Sequence, residues 1–130
     1  MRDLDFSDDF CIFLQKTVPS LEALELLLVL SGDAEHAWSA AELSMKLRPS
    51  FSISESEVTR QLETFFAGGI LKRYRDGKVR YEPASESVAE HVRTLREAYV
   101  SRPVTLLRMI YALRDSAIRS FADAFRLSRK

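Results

Sequence analysis

Two short patterns fifteen residues apart, Ser39-Ala40-Ala41-Glu42 and Ser54-Glu55-Ser56-Glu57, constrain what this chain can fold into more than any other feature. Both fit the capping box, in which a serine hydroxyl accepts from the amide three residues on and the glutamate there accepts from the serine's own amide. Two of the donors that every helix start leaves unpaired are satisfied together, so each pattern fixes where a helix begins. Trp38 and Leu43 stand where the two members of a hydrophobic staple would, setting the entry to the first helix. Arg48-Pro49-Ser50 breaks that helix after about Leu47, because proline lacks the amide hydrogen and clashes with the preceding turn. The second helix carries Val58, Leu62, Phe65 and Phe66 on one expected inward face and stops at Gly68-Gly69.

Directly after the glycines, residues 70–75 and 78–82 read as strands joined by Asp76-Gly77, a pair favoured in two-residue type I′ hairpin turns. Such a turn sets Arg75 opposite Lys78, Tyr74 opposite Val79, Arg73 opposite Arg80 and Lys72 opposite Tyr81. Side chains alternate, so Ile70, Tyr74, Val79 and Tyr81 are expected to face the helices, and Arg73, Arg75, Lys78 and Arg80 to share the other face. Like charges then stand directly opposite twice, each pair costing up to roughly 1 kcal/mol. A local violation of this kind marks a candidate functional face, because a phosphate backbone would relieve it and arginine has the forked donors for the task. A plainer use of the same charges is to stop a solvated hairpin from pairing edge to edge with another chain.

Helices are expected on both sides. Phe10, Phe13 and Leu14 recur at helical spacing ahead of Val18-Pro19, and Ser20 can cap a helix striped by Leu21, Leu24, Leu27 and Leu28 that ends at Ser31-Gly32-Asp33. From about Ser85 a helix resumes with Val88, Val92, Leu95 and Tyr99 on one face, and Pro103 suits the first position of another. That last helix is apolar over half its circumference, which makes Leu106, Ile110, Leu113, Ala117, Phe121 and Phe125 a candidate dimer interface. The alternative is that this arc packs inside its own chain.

Composition closes off several classes. At 130 residues, 46% apolar and with only four Gly and four Pro, the chain suits one mainly helical domain. Its most prominent apolar stretch, residues 26–30, falls far short of the roughly 20 a membrane helix needs. The acidic N-terminus lacks the positive and apolar segments of a secretory signal, so a cytoplasmic location is expected. His36 and His91 lie far apart, and neither has a His or Cys at metal-ligand spacing. The single Cys11 sits among apolar neighbours and reads as a small buried hydrophobe. No constellation supports catalysis, and no cofactor is expected. The net charge of zero hides an asymmetry: residues 1–66 hold five Lys/Arg against twelve Asp/Glu, residues 67–130 fourteen against seven. The basic half invites an anionic partner, or attraction to the acidic half.

The order of helix, capped short helix, capped second helix, Gly-Gly, charged hairpin and further helix resembles the winged helix-turn-helix fold of small bacterial regulators of the MarR and PadR type. The likeness covers about residues 20–82 and includes the phrase from Gln61 through Leu71, whose close, Phe-Phe-Ala-Gly-Gly-Ile-Leu, resembles a familiar entry to the wing. It implies three parts: an N-terminal helix or arm (1–19), a winged helix-turn-helix domain (20–83) and C-terminal helices (84–130) that pack on it and pair two copies. It also implies a DNA-binding transcriptional regulator, with residues 54–67 as the recognition helix and the hairpin as the wing. On that helix the outward face holds Ser56, Thr59, Arg60, Glu63 and Thr64. Arg60 could read a guanine edge, and Ser56 and Thr59 could meet phosphates or bases. The expected DNA contacts are therefore Ser56, Thr59, Arg60, Arg73, Arg75, Lys78 and Arg80, on double-stranded DNA. Capping explains Glu57 but not Glu63, and acidic residues there repel phosphate. That acidity, with the neutral total charge, favours a second reading: a winged-helix adaptor that binds another protein and no DNA.

Overall fold

Five helices begin on a serine whose hydroxyl accepts an amide of the first turn: Ser7, Ser20, Ser39, Ser54 and Ser85. They open α1 (Asp8–Thr17), α2 (Leu21–Gly32), α3 (Ala40–Leu47), α4 (Glu55–Ala67) and α5 (Glu86–Ser101). Both predicted capping boxes form in full, with Ser39 paired to Glu42 and Ser54 to Glu57. Pro103 is the first residue of α6 (Pro103–Ser128). This computed structural model describes residues 6–128, and of 116–128 only the helical backbone. Within them the chain is mainly helical, with one two-stranded antiparallel sheet formed by β1 (Leu71–Arg73) and β2 (Val79–Tyr81).

Helix α2 lies at the centre because leucine surrounds it: Leu24, Leu26, Leu27 and Leu30 are all fully buried. Each such side chain contributes about 1.5–3 kcal/mol of burial. Helix α1 packs on α5 and α6, α3 on α4, and α4 on β1, while α2 meets both α3 and β2. The buried residues of all of them form one cluster. Two polar links fix the angle of α4. Ser44 Oγ, buried in α3, donates to the Ile53 carbonyl at 2.8 Å and holds the turn between α3 and α4. Gln61 Nε2 donates to the Thr17 carbonyl at 3.0 Å, tying α4 to the end of α1.

Three expectations are corrected. Leu106 and Ile110 are buried within the chain's own core, at 0% and 1% exposure, and so present nothing to a second copy. Leu113 is half-buried against the same core, while the side chains of Ala117, Phe121 and Phe125 lie outside the described residues. Phe66, expected inward, is 42% exposed, because Val58, Leu62 and Phe65 complete the buried face of α4 without it. Cys11 is half-buried at the margin of the core, where a fully buried residue was expected.

The hairpin register also differs. Leu71 stands opposite Tyr81, Lys72 opposite Arg80 and Arg73 opposite Val79. The Tyr74 amide donates to the Lys78 carbonyl, and the Gly77 amide to the Tyr74 carbonyl. The loop is thus three residues, Arg75-Asp76-Gly77, with Gly77 at φ +89° in the left-handed region that glycine enters freely. Asp76 Oδ1 accepts the Lys78 amide at 3.0 Å and holds the turn. Trp38 adds a rung: its amide donates to the Val79 carbonyl at 2.7 Å, and the Val79 amide to its carbonyl at 2.8 Å.

Candidate nucleic-acid interface

A register shift of one residue reassigns side chains between faces. Val79 still faces inward, now with Leu71, and Arg73 lies on that inner side at its outer end. There the Arg73 guanidinium sits 4.4 Å from the Phe66 ring centroid and donates to Glu63 Oε2 at 2.8 Å. Arg73 is therefore not a member of the outward cationic face. It is the counterion of Glu63, the acidic residue that helix capping left unexplained, and the exposed Phe66 is the platform it lies on.

The outward face consists of Lys72, Tyr74, Lys78 and Arg80, with Arg75 exposed in the turn. Only one pair of like charges stands directly opposite, Lys72 and Arg80, where two were expected. Both lie by the Tyr74 ring, at 5.6 Å and 5.7 Å from its centroid, so the aromatic face draws in two cations that would otherwise only repel. Arg80 also donates to Glu82 Oε1 at 2.7 Å. That bond raises the Arg80 pKa and holds the Glu82 carboxyl below its usual range. Lys72, Arg75 and Lys78 make no ion pair among the described residues. The sequence pattern does not place Lys72 or an outward Tyr74 in the site, because both follow from the loop length.

On α4, Ser56, Thr59 and Arg60 are all exposed. Thr59 Oγ1 donates back to the Glu55 carbonyl at 2.9 Å, a bond to its own helix. Glu57 is held ionised by the Ser54 backbone and hydroxyl, which lower its pKa. Arg60 lines a cleft bounded by the start of α2 and by Arg114 of α6, away from the hairpin residues it was grouped with. The predicted contacts thus separate into an outward hairpin group (Arg75, Lys78, Arg80), an internally paired Arg73, and a sparse α4 group.

Beside the Trp38 rung, the His36 ring lies 4.2 Å from the indole, and His36 Nε2 is 3.6 Å from Glu42 Oε2. The Trp38 indole nitrogen is buried without a hydrogen-bond partner among the described residues. Among the described residues no group of three or more His, Cys, Asp or Glu could hold a metal ion, and no helix is long and apolar enough to cross a membrane. Comparison of the chain with protein-family models, curated proteins and solved structures finds no match.

Proposed function

We propose that this chain is a winged helix-turn-helix protein that acts by binding double-stranded DNA, as a transcriptional regulator, with the outward hairpin face on the phosphate backbone. The observation that carries the reading is the cluster of Lys72, Arg75 and Lys78 around Tyr74, three cations on one short hairpin that make no ion pair among the described residues, with Glu82 and Glu42 acting on Lys72 and Lys78 only from farther off. The succession of α2, the Trp38 rung, α3, α4 and the hairpin supports the fold half of the reading. Helix α4 adds one exposed arginine, so affinity rests on the hairpin, and tight binding calls for two copies acting together.

The test is a salt titration of binding to random duplex DNA. The wild-type chain is expected to give a steep dependence of log affinity on log salt. The K72A/R75A/K78A variant should flatten it by roughly 0.9 for each phosphate that it no longer neutralises. Binding that the triple variant leaves unchanged discards the hairpin as the DNA-binding surface. No binding at any salt favours the adaptor reading, which the exposed Glu55 and Glu57 beside Ser56 and Thr59 support.

A further inference from the structure

A cleft of about 630 Å³ opens between the first turn of α2, the outer side of α4 and α6. That volume falls within the range of small-molecule sites, and the lining is mostly polar, including Ser52 and Thr64. Two guanidinium groups reach it from different helices, Arg60 on α4 and Arg114 on α6. Neither makes an ion pair among the described residues. Arg114 lies 6.0 Å from the Tyr111 ring, and the Tyr111 hydroxyl accepts the Leu21 amide at 3.3 Å, which anchors α6 against the start of α2.

Two carboxylates also line the cleft, Glu22 and Glu57, and each has a local counterpart. Both stand in the first turn of a helix, where the macrodipole favours negative charge, and Glu57 also takes the Ser54 amide at 2.8 Å. The Arg60 charge adds only the smallest part of the lowering of the Glu57 pKa, so its fork is not spent there. Both arginines stand well inside their helices, beyond the reach of a helix end. Neither carboxylate of the cleft forms an ion pair with either fork among the described residues.

We propose that the cleft binds a small oxyanion, a di- or tricarboxylate or a phosphate, held between the Arg60 and Arg114 guanidinium groups. Guanidinium forks match both carboxylate and phosphate oxygens in pairs, so the two sources share one recognition chemistry. The site shares Arg60 with the expected DNA contacts of α4 but uses no residue of the hairpin, on which the DNA reading rests, so the two can fail separately.

The experiment titrates the isotope-labelled full chain with citrate and, separately, with inorganic phosphate, following the side-chain nitrogen signals of its arginines by NMR. Saturable movement confined to Arg60 and Arg114 is the expected result, and the tighter probe identifies the source. R60Q and R114Q should each weaken binding by about tenfold or more, as expected for removal of one charge-assisted donor group, while R108Q, at an exposed position of α6 outside the cleft, leaves it unchanged. Non-saturating shifts spread over Arg75 and Arg93 overturn the proposal, as do R60Q and R114Q variants that bind like wild type. Should either variant fail to fold, the wild-type side-chain signals decide alone.

Discussion

Helix α4 and the hairpin are joined through a pair of glycines and packed against each other, yet they dispose of charge in opposite ways. On α4 three exposed polar groups are answered within the molecule: Glu57 by the Ser54 cap, Glu63 by Arg73, and the Thr59 hydroxyl by its own helix. On the hairpin, Arg73 and Arg80 are ion-paired to carboxylates, whereas Lys72, Arg75 and Lys78 make no ion pair among the described residues. Two carboxylates of α4 are thus engaged inside the molecule, while three hairpin cations stand without an ion pair among the described residues. Counting basic residues in the two segments would miss this, because the distinction lies in which group answers each charge.

Substitutions on the two elements separate their roles. The largest effect is expected from Phe65→Ala, which empties a fully buried site on the inner face of α4. It should cost about 3–5 kcal/mol in urea unfolding, against which any change on the outward hairpin face is small. Gly77→Ala should cost about 1–2 kcal/mol. The added carbon meets nothing within 4 Å, so the cost is purely the left-handed backbone, and a null result would mean the three-residue loop is not the one formed. Ser54→Ala removes the cap of α4 and should cost about 1 kcal/mol in the same assay. Glu63→Gln should change stability by less than about 1 kcal/mol, as for other exposed pairs. It frees Arg73, however, and should tighten DNA binding and steepen its salt slope by roughly 0.9. If the slope stays the same, Arg73 is a structural cation whatever its partner.

Acid offers a subtler test. The Glu42 and Glu57 carboxyls are lowered chiefly by the backbone amides of Ser39 and Ser54. A carboxyl lowered by folding contributes stability that is complete above its ordinary value of 4.5 and lost as pH falls below that through the folded value. Both helix starts should therefore loosen in that acidic window. Glu42→Gln and Glu57→Gln should each flatten the dependence there, measured by circular dichroism against urea at stepped pH.

Much of this architecture is legible in the residues alone. Serine with glutamate three residues on has little local alternative to a helix start, and both such starts form. Gly68-Gly69 and Pro103 likewise mark boundaries through backbone constraints that hold in any surroundings. The hairpin register is not legible, because Asp-Gly serves both a two-residue turn and the end of a three-residue loop. Packing decides between them: the Trp38 rung fixes Val79, and the three-residue loop brings Leu71 inward with it. Phe66 departs from its expected place for a related reason. A helix period places it beside Phe65, but Arg73 arriving from the next strand gives the ring a partner at the surface. The pairing of Glu63 with Arg73 spans ten residues and two elements, so no local pattern announces it.

Trp38 is the only tryptophan in the chain, and its backbone is the rung that joins the hairpin to the segment ahead of α3. The molecule therefore carries a built-in optical reporter at its hairpin. Excited beyond the absorption of tyrosine, its emission comes from one indole in one environment, and detachment of the rung would appear as a red shift without any label. A spectral change on adding DNA would report what happens at the base of the hairpin, while a change confined to the tip would leave the indole silent.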